Sequence, residues 1–195
     1  MTDISPPPVR GLGQAEKTVR VWDIWVRIFH WSFAILIATA WLSHDWEGPA
    51  RGWHEWLGYG AVGLVALRIV WGFVGSKYAR FAQFVRGPRQ VLAYSLALLK
   101  GREGRYLGHN PLGALMVLFL LALSIGLAVT GFVMTQRGMT LLGLDRRPLR
   151  QLHDVMGNLY VVAVPIHVLA IIFESIRHRE NLVGAMIFGN KRIGA

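Results

Sequence analysis

The 195-residue chain is 53% hydrophobic and only 16% charged, with a mean hydropathy of +0.39, which sets it apart from ordinary soluble domains and groups it with membrane proteins. It contains no cysteine, so disulfides, thiolate metal sites and thioether attachment are excluded and any metal chemistry has to rest on histidine. The formal charge of +10 does not mark a nucleic-acid binder, because the cations fall in blocks between apolar segments rather than along one face.

Residues 1–20 are rich in Pro, Gly and charge, without apolar periodicity, and predict a flexible tail. Four apolar spans follow, at about 28–43, 53–75, 112–134 and 152–176. Since about 20 residues cross the hydrocarbon at ~1.5 Å each, the last three suffice by length. The first relies on Trp25, Trp31, Trp41 and Trp46 as interfacial anchors. The "ATA" at 38–40 resembles a signal-peptidase site, but the long segment before it, His30 inside the span and three further spans predict a retained helix. Between the second and third spans, "VRGPRQVLAYSLALLKGR" is amphipathic and too short to cross, so it is expected along the membrane surface. No repeat or second domain interrupts 21–178, and 179–195 reads as a C-terminal tail.

The basic residues orient this array. Fifteen Lys and Arg lie in the N-terminal piece, the 76–109 loop and the C-terminal tail, against five in the two other loops (Arg51, Arg137, Arg146, Arg147, Arg150), which places both termini in the cytoplasm. The predicted fold class is an all-α integral membrane protein, a four-transmembrane-helix bundle.

Depth then sorts the histidines. His30 and His167 share the cytoplasmic level of the bundle, and His54 and His153 the outer level; His44, His109 and His178 default to solvated surface. His153 and His167 are fourteen residues apart, ~1400° of helix rotation, so the two imidazoles fall within roughly 40° of one face and ~21 Å apart along the axis. A single intramembrane His can simply bond a neighbouring helix, but four at two matched depths predict a ligand held twice. Gly157 beside His153, Gly58 and Ala61 beside His54, and Ala34 beside His30 let a large planar group approach the backbone. Two non-covalent bis-His b-type haems fit this pattern, whereas zinc or copper would lack ligands at each level. Arg68, fourteen residues after His54, faces the bundle at the inner level as a possible propionate partner, the alternative being snorkelling to the surface. Pro165 is positioned to kink the last helix near His167. Arg146, Arg147 and Arg150 form a positive collar on the outer side that would steer an anionic donor; the alternative is a short loop that tolerates charge without purpose.

The stretches "VWDIWVRIFHWSFA", "WHEWLGYGAVGLVALRIVWGFVGS", "GHNPLGALMV", "HDVMGNLYVVAVPIHV" and "RHRENLVGAMIFGNKR" together resemble the bacterial cytochrome b561 family and the related cytochrome b subunit of nickel–iron hydrogenases. The resemblance covers nearly everything from Val21 onward. It implies a multi-pass, two-haem protein of the bacterial inner membrane that passes electrons between a periplasmic donor, such as superoxide or a cytochrome c, and the quinone pool. It puts the axial ligands on His30, His54, His153 and His167, paired first helix with fourth and second with fourth. The alternative role is a membrane anchor for a larger redox enzyme such as hydrogenase; a more distant one is a haem-free proton-conducting transporter, which would want carboxylates within the spans.

Overall fold

The computed structural model describes residues 18–43, 51–136 and 138–193; His44, Trp46, Arg137 and residues 1–17 lie outside them. In chain order the elements are β1 (Thr18–Arg20), α1 (Ile24–Leu42), α2 (Arg51–Val74), α3 (Phe81–Phe84), α4 (Pro88–Leu99), α5 (Pro111–Thr135), α6 (Arg146–Arg177), α7 (Leu182–Phe188) and β2 (Asn190–Arg192). By length and composition α1, α2, α5 and α6 can each cross a membrane.

Helix starts follow capping chemistry. Asp23 accepts the Val26 N–H at 2.9 Å and Asn110 that of Gly113 at 2.7 Å, satisfying donors that every helix start leaves free. Asp23 thereby starts α1 at Ile24 rather than at 28. α6 starts at Arg146 rather than at 152, with Asp145 at its N-cap and Pro148 in its first turn, where proline is tolerated. An arginine-rich first turn carries no apolar signal and so reads as loop. The 32 residues of α6 extend about 48 Å, longer than a hydrocarbon core of ~30 Å. Pro165 sits within this helix, which stays continuous.

Residues 18–20, expected in a tail, form β1 and pair antiparallel with β2, Val19 opposite Lys191. Strands of three residues have too little alternation to be read in advance. The pairing brings the strand before α1 and the strand after α7 together at one end of the bundle, the proximal end; the opposite end is distal.

α5 packs along α6, α1 along α2, and α2 against α5, but neither α1 nor α2 closes along α6. The buried stripe of α2 is Ala61, Val65 and Arg68; that of α6 is Leu149, Tyr160 and Ala163. The Tyr160 and Ser124 hydroxyls, 3.0 Å apart, join α5 to α6 in mid-bundle. Outward positions such as Leu67, Phe73, Leu169 and Ile176 are apolar and exposed, as lipid contact requires.

Carboxylates lock the proximal end. Asp23 receives the Trp71 Nε1–H at 3.1 Å and the Ser76 hydroxyl, tying the start of α1 to the end of α2. Burial raises its pKa, but these bonds and the Val26 amide outweigh that and leave it below the usual carboxylate value. Glu180 pairs with Arg105 at 2.9 Å and Lys191 at 3.3 Å. Glu174 receives the Tyr94 hydroxyl at 3.0 Å and Asn110 Nδ2 at 2.8 Å, drawing α4 and the α5 cap onto α6. α4 keeps Leu92, Leu96 and Leu99 exposed and buries Tyr94.

Candidate functional site: facing histidines inside the bundle

Near the distal end, His54 on α2 and His153 on α6 face each other with ring centroids 6.1 Å apart. Nearer the proximal end, His30 on α1 faces His167 on α6 at 6.5 Å. The fourteen-residue interval on α6 therefore presents both imidazoles on one face, the face that buries Leu149, Tyr160 and Ala163. Each pair spans the separation that α6 keeps from α1 and α2.

The distal rings are held from behind. His54 Nδ1 lies 2.8 Å from the Ala40 carbonyl oxygen and His153 Nδ1 lies 2.9 Å from Thr130 Oγ1. A carbonyl only accepts, so His54 Nδ1 carries a proton and leaves the Nε2 lone pair free. A Cβ on Gly131 would first meet His153 Cε1, at 3.5 Å, so the ring lies against this glycine. A Cβ on Gly58 or Gly157 would meet nothing within 4 Å. Neither Ala40 nor Thr130 was foreseeable, because a helix carbonyl and a helix threonine carry no sequence signature of ligand support.

Arg68 is 4% exposed, so it does not snorkel. Its Nη2 donates to the Ala79 carbonyl at 3.1 Å and its guanidinium lies 5.2 Å from the Phe81 ring centre. Its Nη1 is buried without a hydrogen-bond partner among the described residues. Arg146, Arg147 and Arg150 are exposed on the first turns of α6 rather than in a loop. Arg150 only loosely approaches Asp154, at 4.0 Å.

Two histidines assigned to solvated surface are not free there. The His109 ring packs between Trp22 and Phe84, 4.7 Å from each, and its Nδ1 is buried without a hydrogen-bond partner among the described residues. Asn110, by capping α5, turns the preceding residue inward against aromatic groups from distant parts of the chain. Burial, then the nearby charges of Arg68 and Lys191, push the His109 pKa down to about 3. His178 Nε2 comes within 3.2 Å of Glu174 Oε2.

Membrane-length helices gathered around imidazoles in facing pairs define a helical membrane protein of the cytochrome b class. A family model described as prokaryotic cytochrome b561 matches residues 21–189. The chain belongs to that family and is a membrane b-type cytochrome. Curated relatives include probable Ni/Fe-hydrogenase B-type cytochrome subunits. That of Cupriavidus necator is 28% identical, the match covering 91% of this chain and 88% of the relative. That of Azotobacter vinelandii is 27% identical, over 89% and 88%. That of Rhizobium leguminosarum bv. viciae is 24% identical, over 90% and 89%. No solved structure gives a significant match.

Proposed function

We propose that the chain is a di-haem cytochrome of the bacterial inner membrane that moves electrons between a redox partner at its distal, periplasmic face and the quinone pool, with both termini cytoplasmic. The facing imidazole pairs carry this reading. Two nitrogen ligands on opposite sides of one metal, at about 2.0 Å each and with ~1 Å more to each ring centre, put the ring centres roughly 6 Å apart. The separations of 6.1 and 6.5 Å fit that requirement. Among the described residues no three His, Asp or Glu side chains gather as a metal site, so each pair offers two ligands and a macrocycle would supply the rest.

On this reading His54 and His153 hold the distal haem, and His30 and His167 the proximal one. Haem b bound at each level supplies a one-electron carrier. Arg68 offers its partnerless Nη1 to a propionate, and Gly58 and Gly157 leave room beside the distal ligands. Arg146, Arg147 and Arg150 add to the positive end of the α6 dipole and favour an anionic donor or an acidic docking surface.

The names of the relatives favour a second reading of the partner: the distal face anchors a larger enzyme of the hydrogenase kind instead of serving a free donor. Both readings share the haem sites. The test is haem content and spectrum after purification in detergent. Two haem b per chain are expected, with His54→Ala or His153→Ala losing the distal haem and His30→Ala or His167→Ala the proximal one. A colourless protein sinks the proposal, and loss of both haems from each single change breaks the pairing by depth. Co-purification of a stoichiometric partner from native membranes would favour the anchor.

A further inference from the structure

We propose that Thr130 is a positioning residue that lowers the reduction potential of the distal site, by accepting a hydrogen bond from the back of His153. The inference rests on reading His54 and His153 as axial ligands.

Thr130 is 2% exposed and sits on α5, facing α6. Its Oγ1 has three close neighbours: the Gly126 carbonyl at 2.8 Å, the Leu127 carbonyl at 3.2 Å and His153 Nδ1 at 2.9 Å. A hydroxyl has one proton to donate. The carbonyls of its own helix can only accept it, the bond that helix-interior threonines commonly make. With that proton on a carbonyl the oxygen is left as acceptor toward His153, and the His153 ring, which the Leu127 carbonyl also approaches, donates through Nδ1. The proton is then fixed on Nδ1 and the Nε2 lone pair is left for the metal.

His54 is treated in the same way by the Ala40 carbonyl at 2.8 Å. Both distal imidazoles thus donate from the rear to oxygen. Among the described residues no hydrogen bond reaches either ring of the proximal pair, where His30 has an edge contact with Trp31 at 5.2 Å. An N–H given to an oxygen makes the imidazole a more basic, more electron-releasing ligand. Such a ligand stabilises the oxidised iron over the reduced, which lowers the potential at that level alone. The Ala40 carbonyl cannot be removed by substitution, so Thr130 is the half of the device that mutation can reach.

The experiment is an optical redox titration of the purified haem-loaded protein, with low-temperature EPR, on wild type, Thr130→Val, Thr130→Ala and Thr130→Ser. Val keeps the shape and loses the acceptor; Ala removes the same hydroxyl with a different volume; Ser keeps the hydroxyl. Val and Ala should both raise the midpoint of one of two components, favouring its reduced form by about tenfold at fixed ambient potential, ~59 mV for a one-electron couple. The same component should change its low-spin EPR signature, and Ser should return both readouts to wild type. In a His167→Ala background, the component that remains must be the one that moves. Unchanged midpoints in Val and Ala, an equal shift of both components, or failure of Ser to restore would each overturn the inference. Fewer than two haems in the wild type would instead overturn the ligand pairing on which it rests.

Discussion

The imidazole of His109, wedged between Trp22 and Phe84, stays neutral while the proximal end is folded. Its folded pKa of about 3 lies below the ordinary value of 6.5. As pH falls below 6.5 the unfolded chain takes up a proton that the folded chain refuses, so stability is lost from there down toward pH 3. The loss is at most about 1.4 kcal/mol per pH unit, and less to the extent that water reaches the ring edge. Thermal melts between pH 7 and 4 should show this slope in wild type and a shallower one in His109→Phe, where this imidazole's share is gone; equal slopes would mean the ring is not held neutral by its packing. The four paired histidines were legible because helix pitch and membrane depth leave few positions where two imidazoles can meet. His109 was not, since its surroundings come from residues 22 and 84, and no local pattern says that a loop residue will be roofed by distant aromatics.

Among the elements, α4 shows how a short helix can be legible while its docking is not. Its amphipathic pattern marks both the helix and its exposed Leu92, Leu96 and Leu99. What holds it is the Tyr94 hydroxyl on Glu174, a contact across 80 positions of sequence. Burial, then the Glu174 charge, push the Tyr94 phenol above its usual pKa, which keeps it a donor at every working pH. A hydrogen bond to a charged group is worth about 1.5–3 kcal/mol. Tyr94→Phe should therefore speed amide exchange across Pro88–Leu99 while leaving α6 protected, because Glu174 keeps Asn110. Unaltered exchange in α4 would show that apolar contact with α5 holds it without the carboxylate. The start of α6 gives the converse case: hydropathy sees a helix only where it is oily, and so passed over the polar turns from Arg146 to Arg150.

Across the whole molecule, charge and apolar surface divide the work: lipid-facing side chains hold the bundle in place, and the polar ends decide what can approach. Replacing Arg146, Arg147 and Arg150 with Gln should slow electron entry from an anionic donor and flatten its dependence on ionic strength, measured by stopped-flow reduction. A rate and salt slope equal to wild type would make the arginines passive. The four membrane-length helices among the described residues were readable from the run of apolar segments, whereas the pairing of β1 with β2 was not, because it depends on strands of three residues. That pairing bears on biosynthesis. β1 is translated just before α1 and β2 after α6, so the two can meet only when an even number of helices between them has been threaded through the bilayer. A missed or extra insertion would leave Thr18–Arg20 and Asn190–Arg192 on opposite sides of the membrane, where they could not pair.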